Sequence, residues 1–182
     1  MKINNTEIEL RMDDITKIKD CDVIVNAASQ DLRGGSGIDG AIHEAAGEDL
    51  LLECIILGRC DFGDVKITAG HKLPVKYIFH TVGPIYNHHG NLESRKLLSS
   101  CYTKCLEAAN EKKVNSIAFP TISTGVHCYP KEKAANVGIN SVVSFLKKNQ
   151  TSLRLVLFIF FDTTNFEIYK EAIPSILSKE GL

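Results

Sequence analysis

Short β-rich segments alternate along the chain with segments of helical spacing, and this alternation restricts the fold more than any other feature. Strands rich in Val, Ile, Phe and Thr are predicted at Ile8–Met12, Asp22–Ala27, Asp64–Ala69, Tyr77–Val82, Ser116–Phe119 and Leu155–Phe161. The last of these is apolar on both faces, which is typical of a central strand. Strands that alternate with helices form a parallel or mixed sheet covered on both faces, so we predict an α/β fold.

Helical spacing predicts helices at Gly37–Ala46, Asp49–Gly58, Leu92–Lys112, Lys131–Lys147 and Asn165–Leu177. Gly47 separates the first two, and Pro174 lies inside the last. The polar segment Asn87–Asn91 is interpreted as an exposed turn. Because ligands of α/β folds bind at the carboxyl ends of the strands, the loops that follow the strands are the candidate site.

The chain has 182 residues, which fits a single domain over residues 1–182. Apolar residues make up 44% and charged residues 24%, close to ordinary globular usage. The net charge of −1 argues against an extended interface with nucleic acid, which needs many phosphate contacts. A small anionic ligand is compatible with this charge, because loop amides bind phosphate without Lys or Arg.

Neither secretion nor membrane insertion is predicted. The start MKINNTEIEL lacks the apolar core of a signal peptide, and the longest apolar run, LRLVLFIFF, is too short to span a bilayer. We therefore expect a cytoplasmic protein, with the nucleus as the alternative, and we interpret its six cysteines as buried free thiols. No CxxC pair is present and His88-His89 lies in a polar turn, so no metal site is predicted.

A glycine loop, residues 28–36, connects the predicted strand Asp22–Ala27 to the helix at Gly37–Ala46. Glycines let this backbone approach a ligand closely, and the helix N-terminus behind it favours an anion. Asp39 and His43 share one face of that helix. The carboxylate of Asp39 either binds a ligand hydroxyl or water or merely caps the helix, and His43 is either functional or a packed helix residue. The loop matches neither GxGxxG nor GxxxxGK[ST].

A second loop, residues 120–130, also connects a buried strand to a helix. Its sequence PTISTGVHCYP supplies hydroxyls, backbone amides and a flexible Gly125. In isolation such a loop is more often an ordinary connection. Two such loops at strand ends of one small sheet predict a shared site for a diphosphate.

These segments together resemble the macro domain family, and specifically its MacroD-type branch of ADP-ribose hydrolases. The resemblance covers nearly the whole chain and is carried in order by Asp14-Ile15, IVNAA, DGAIHEAAG, KITAGHKLPVKYIFHTVGP, IAFPTISTGVHCYPKE and FFDTTNFEIYK. It implies a three-layer α/β/α sandwich with a central mixed, mostly parallel sheet of about six strands. It also implies ADP-ribose as the ligand, without a metal or other cofactor.

The resemblance implies a role for each matching residue. Asp14 and the amide of Ile15 would bind adenine, and Phe161 would lie along its face. The diphosphate would be held by Ser123, Thr124, Gly125, Val126 and His127. The distal ribose would be covered by Gly34, Gly35, Ser36, Gly37 and Ile38, next to Asp39, with Asn26 mainly structural. The candidate catalytic residues are Asp39, His43 and Ser29.

The implied reaction is hydrolysis of the ester that joins ADP-ribose to Asp or Glu of a mono-ADP-ribosylated protein, or of O-acetyl-ADP-ribose. Four positions depart from the pattern: Ser29 replaces the second Asn of NAAN, Ser36 a glycine, Arg33 an apolar residue and His127 an aromatic one. We interpret Arg33 as solvent-exposed, with a contact to a ligand phosphate as the alternative. Because Ser29 is shorter than Asn, a module that binds ADP-ribose without cleaving it is the alternative. Poly(ADP-ribose) and RNA fit the balanced charge less well, and we expect a monomer.

Overall fold

The computed structural model describes residues 1–179 and contains one seven-stranded sheet. The strands are β1 (Lys2–Ile3), β2 (Thr6–Met12), β3 (Val23–Ala27), β4 (Val65–Ala69), β5 (Tyr77–Thr81), β6 (Ser116–Phe119) and β7 (Leu155–Phe160). The helices are α1 (Gly37–Ala46), α2 (Glu48–Leu57), α3 (Tyr86–Glu111), α4 (Lys131–Lys148) and α5 (Thr163–Lys179), with a 3₁₀ turn at Ile15–Lys17.

The sheet has the order β1-β2-β7-β6-β3-β5-β4. Its five inner strands are parallel to one another, and only the edge strands β1 and β4 run antiparallel. The carboxyl ends of β2, β7, β6, β3 and β5 therefore meet at one edge of the sheet. This arrangement confirms the mixed, mostly parallel sheet, and the short β1 brings the six predicted strands to seven.

Two apolar clusters cover opposite faces of the sheet. On one face Val23, Phe79 and Phe158 pack with residues of α3, α4 and α5. On the other face Ile24 and Ile78 pack with residues of α1 and α2. Neighbouring residues of a strand thus point into different clusters, as the period of two in a strand requires. The three-layer α/β/α sandwich is confirmed.

Two predictions are corrected. Asn87–Asn91 is largely exposed, as predicted, but it is not a turn, because α3 begins at Tyr86 and includes it. Gly90, with φ of 71°, interrupts the helical backbone there, which explains why the sequence reads as a turn. The six cysteines are free, but only five are buried, since Cys128 is exposed in the second loop.

Within residues 1–179, every helix falls short of the length or apolar character that crossing a membrane demands.

Candidate functional site

Four segments with polar or aromatic side chains follow the parallel strands at their common edge. Asp13-Asp14 follows β2, Phe161 follows β7, and the second loop and the glycine loop follow β6 and β3. In the sheet these strands are neighbours in the order β2, β7, β6, β3. At the usual strand spacing, the row formed by these four strand ends is about 14 Å long. An elongated ligand with one end at β2 and the other at β3 would therefore contact all four segments.

The second loop presents a run of free backbone amides. Within the part of the chain that the structure describes, the N–H groups of residues 123–127 donate no hydrogen bond. The loop is closed instead by the amides of Tyr129 and Cys128, which donate to the carbonyls of Ser123 and Gly125 at 2.9 Å each. Ser123 has a positive φ of 66°, and a left-handed residue beside ordinary ones is the backbone arrangement that gathers successive N–H groups on one side. Such concave runs of N–H groups bind anions.

The second loop is fastened to the segment after β5. The His127 ring donates from Nδ1 to the carbonyl of Gly83 at 2.8 Å, and the Tyr86 amide donates to the carbonyl of His127 at 3.0 Å. A Cβ on Gly83 would overlap the Oγ of Ser123. Because β3 lies between β6 and β5, His127 crosses the end of β3, where the glycine loop starts.

The glycine loop folds back over the first turn of α1. Gly34 and Gly37 have positive φ values of 79° and 61°, and a Cβ on Gly40 would overlap the carbonyl oxygen of Gly35. Ser36 is the N-cap residue of α1 but makes no side-chain capping bond. The first amides of α1 thus remain available beside the second loop. Arg33 is exposed, as the sequence predicts.

Asp39 is the buried carboxylate of this edge, with 4% of its surface exposed. Its Oδ1 accepts a hydrogen bond from Asn26 Nδ2 at 2.7 Å and lies 3.6 Å from His43 Nε2. Its Oδ2 accepts from the amide of Ser29 at 3.4 Å. The carboxylate therefore joins β3 to α1, and the alternative of a helix-capping aspartate is not what the structure shows.

The other two candidate catalytic residues have different surroundings. Ser29 Oγ donates to Asp31 Oδ1 at 2.7 Å, and this bond lowers the pKa of Asp31. The Ser29 hydroxyl thus points to an exposed carboxylate, while its backbone amide faces Asp39. The His43 ring is largely buried below Gly34, with its centroid 6.2 Å from that of His80. His43 supports the glycine loop from beneath.

The opposite end of the row contains Asp14 and Phe161. The Asp14 carboxylate accepts from Thr16 Oγ1 at 2.6 Å and from the Thr16 amide at 3.0 Å, and its pKa is lowered chiefly by the hydroxyl. Ile15 is buried below this turn. Phe161 is 92% exposed, and the Asp13 amide donates to the carbonyl of Phe160 at 3.2 Å. An exposed aromatic ring therefore stands beside a polar turn.

Buried polar atoms without a hydrogen-bond partner concentrate at this edge. Among the described residues they are Asn26 Oδ1, His43 Nε2, Ser123 Oγ and Asn165 Oδ1. Asn26 on β3 and His43 on α1 flank the glycine loop, and Ser123 belongs to the second loop. Asn165 lies in the first turn of α5, shortly after Phe161. Native proteins pair nearly all such groups, so unpaired ones often mark functional sites.

Sequence reasoning missed His80, although a lone histidine on a predicted buried strand was a usable signal. Its Nδ1 lies 3.1 Å from Asn26 Nδ2, and its Nε2 lies 2.9 Å from Thr68 Oγ1. Desolvation lowers the pKa of His80 to about 3. The ring is therefore neutral in the folded protein at physiological pH.

This neutral histidine makes the protein less stable in acid. The pKa of His80 is about 3 when folded and 6.5 in the reference state, so only the unfolded chain takes up this proton between those values. Stability is lost as pH falls through that window, by about 2–3 kcal/mol between pH 7 and pH 4.5. Urea unfolding of the wild type and of His80→Asn at both pH values checks this. Between pH 7 and pH 4.5 the free energy of unfolding is expected to fall less in His80→Asn than in the wild type, by that amount. Equal losses in the two proteins would contradict it.

His43, Cys54 and His80 have potential metal-ligating atoms within 4.8 Å of one another. Burial raises the pKa of the Cys54 thiol to about 11, which keeps it protonated. The Asn26 Nδ2 group that faces His80 Nδ1 at 3.1 Å favours the tautomer with the ring proton on Nε2, where a metal ion would need a lone pair. In these protonation states neither the Cys54 thiol nor His80 Nε2 is in the deprotonated form that binds a metal ion.

A groove of about 770 Å³ lies elsewhere, between α3 and α4. Several of its polar groups are already paired within the protein. Ser99 Oγ lies 2.8 Å from Ser141 Oγ, and Lys133 Nζ donates to Tyr86 OH at 2.8 Å. The unpaired amides and the buried carboxylate lie at the strand ends, so we place the candidate site there.

The sequence matches the model of the Macro domain family over residues 25–138. It is 47% identical over 168 residues to the ADP-ribose glycohydrolase MACROD2 of Xenopus laevis, covering 92% of this chain but only 40% of that protein. It is 44% identical over 177 residues to a macro domain-containing protein of Methanosarcina mazei, covering 97% of this chain and 93% of the relative.

Solved structures show the same likeness. A variant of the Oceanobacillus iheyensis macrodomain with ADPR matches with a TM-score of 0.93 and 40% identity, covering 98% of this chain and 97% of the other. The Trypanosoma brucei macrodomain in complex with ADP-ribose matches with a TM-score of 0.85 and 34% identity, covering 91% of this chain and 68% of the other.

Proposed function

We propose, because this chain belongs to the macro domain family, that it binds ADP-ribose along the row of strand ends and hydrolyses the ester that joins ADP-ribose to protein Asp or Glu. The observation that carries the proposal is the run of five amides at residues 123–127, which have no hydrogen-bond partner in the described part of the chain, beside a buried carboxylate. Relatives named ADP-ribose glycohydrolase and related structures with ADP-ribose support it.

The ligand would lie with adenine at β2 and β7 and the distal ribose at β3. Phe161 supplies an exposed aromatic face for the adenine, and the Asp14 carboxylate stands beside it. The diphosphate meets the amides of the second loop and those at the start of α1. In this orientation the distal ribose is placed next to Asp39 and the glycine loop.

In the proposed reaction a water molecule attacks the ester at the distal ribose, and the products are ADP-ribose and the free carboxylate of the protein. Asp39 is the side chain that binds or orients the water or the ribose hydroxyl. The amides stabilise charge on the diphosphate and fix its position. Catalysis then rests on positioning and fixed dipoles. O-acetyl-ADP-ribose carries a similar ester and is the second proposed substrate.

Phe161→Ala is expected to raise the dissociation constant of ADP-ribose about fivefold, since an aromatic stacking contact is worth about 1 kcal/mol. Folding should be unaffected, because the ring is 92% exposed. Isothermal titration calorimetry with ADP-ribose measures the effect. Ile56→Ala, which removes an exposed apolar side chain from α2, is the control. Unchanged affinity in Phe161→Ala would place the adenine elsewhere.

A module that binds ADP-ribose without cleaving it is the second candidate function. It is favoured by one observation, that the Ser29 hydroxyl is bonded to Asp31 rather than turned to Asp39. Under this hypothesis calorimetry would give micromolar binding, while a Glu-modified protein remained intact.

Ser29→Asn tests which of the two functions applies. An Asn amide reaches farther than a hydroxyl and can bond the distal ribose directly. If the natural protein is a working hydrolase, turnover of Glu-linked mono-ADP-ribose is expected to change less than fivefold. A rise of about 100-fold with unchanged ADP-ribose affinity would instead identify the natural protein as a reader. Failure of both proteins to bind ADP-ribose would remove both functions.

A further inference from the structure

A chain of hydrogen-bonded polar side chains runs along three neighbouring strands of the sheet and ends on α1. It runs from Thr68 on β4 through His80 on β5 and Asn26 on β3 to Asp39 on α1. The contacts are 2.9 Å from Thr68 Oγ1 to His80 Nε2, 3.1 Å from His80 Nδ1 to Asn26 Nδ2, and 2.7 Å from Asn26 Nδ2 to Asp39 Oδ1. All four residues are buried, and Asn26 and His80 are direct strand partners.

The proton positions along this chain follow from the carboxylate. Asp39 only accepts hydrogen bonds when ionised, so the Asn26 amide must turn its nitrogen to it. The second N–H of that nitrogen faces His80 Nδ1, which therefore accepts. A neutral ring then has its proton on Nε2 and donates to Thr68 Oγ1. If the ring were protonated, or had its single proton on Nδ1, an N–H at Nδ1 would face the N–H of Asn26, and two donors would oppose each other.

We propose that His80 is a positioning residue for the hydrolysis, holding the Asn26 amide so that its nitrogen fixes Asp39 at the distal ribose. This inference rests on the proposed function. Asn26 Oδ1 is buried and has no hydrogen-bond partner among the described residues, so the amide is held only by its two Nδ2 contacts, one with Asp39 and one with His80. Without His80, one of these two contacts is lost and the position of the amide is less well fixed. His80 itself contacts neither the water nor the ribose, and it affects the reaction only through Asn26 and Asp39.

The alternative is that His80 only fills space, since it lies among the apolar residues that join the sheet to α1 and α2. The two roles differ in what a substitution should do. If His80 only fills space, its substitution changes the free energy of unfolding, but kcat of the folded protein stays the same. If His80 is a positioning residue, its substitution lowers kcat of the folded protein. A replacement side chain that offers Asn26 a hydrogen-bond acceptor in the same place restores kcat.

The test compares His80→Leu with His80→Asn, whose Oδ1 is attached at the same carbon as Nδ1 and can accept from Asn26. We expect kcat for a Glu-modified protein to fall about 30-fold in His80→Leu and to recover at least tenfold in His80→Asn. The dissociation constant of ADP-ribose should stay within about threefold in both. His71→Asn, which replaces a histidine bonded to Glu53 away from the site, should leave kcat unchanged. Equal kcat values in the two His80 variants would overturn the proposal.

Two further measurements separate this inference from the proposed function. In an Asp39→Asn background, His80→Leu should lower kcat no further, because its effect passes through Asp39; an independent, additional loss would count against it. Long-range ¹H–¹⁵N spectra should show His80 with its proton on Nε2 in the wild type, whether or not the protein turns over ester. A proton on Nδ1 overturns the positioning role, whereas absent wild-type turnover with the expected tautomer removes only the hydrolysis.

Discussion

Asp39→Asn is expected to lower turnover of Glu-linked mono-ADP-ribose by about 100- to 1,000-fold, the usual loss when a group that orients or activates the attacking species is removed. The substitution keeps the volume of the side chain and an oxygen that accepts from Asn26, so folding should be preserved. The affinity for ADP-ribose should change less than threefold, because the unpaired amides hold the diphosphate. Release of ADP-ribose from a Glu-modified protein measures turnover.

Asp49→Asn is the matched control, since it changes an exposed aspartate in the first turn of α2. Its turnover should equal that of the wild type. Wild-type turnover in Asp39→Asn would remove this residue from the mechanism. A loss of ADP-ribose binding as large as the loss of turnover would assign Asp39 to ligand binding alone.

Gly83→Ala is expected to weaken ADP-ribose binding at least tenfold, which corresponds to about 1.4 kcal/mol. A Cβ at this position would overlap Ser123 Oγ and Ile122 Cγ2, so the second loop must move away from the end of β5. That movement also disturbs the bond from the His127 ring to the Gly83 carbonyl, 2.8 Å long. The amides of residues 123–127 would then lose their common orientation. Calorimetry with ADP-ribose checks the loss.

Gly70→Ala provides a matched steric control. Its Cβ would overlap the carbonyl oxygen of Val75, a clash as severe as that at Gly83, but in the connection between β4 and β5 at the other end of the sheet. This variant should be less stable and yet bind ADP-ribose with wild-type affinity once folded. If both variants bind normally, the position of the second loop does not determine affinity.

Much of the fold could be predicted because it depends on local pattern. The apolar strand Leu155–Phe160 and the helix at Lys131–Lys148 are specified by period, composition and the preceding Pro130. The glycine loop and the second loop could be singled out because both connect a buried strand to a helix at the ligand-binding edge of one predicted sheet, although either alone is more often an ordinary connection. Asp39 could be singled out because it lies in the first turn of a helix directly after such a loop.

The missing parts of the site depend on contacts between distant segments. His80 bonds Asn26 across 54 positions of sequence, and His127 bonds Gly83 across 44. Strand order alone brings these pairs together, and order is not encoded in any one segment. The rotation of the Ser29 hydroxyl towards Asp31 is likewise a choice between partners that spacing cannot decide. Asn87–Asn91 was misassigned for a local reason: its polar composition is typical of a turn, although its backbone is helical except at Gly90.

A crystal structure of the protein with ADP-ribose tests the proposed site most directly. We expect diphosphate oxygens within hydrogen-bonding distance of the amides of residues 123–127 and of the first turn of α1, with the distal ribose beside Asp39. ADP-ribose bound in the groove between α3 and α4, or at the strand ends with its diphosphate away from these amides, would contradict the proposed function.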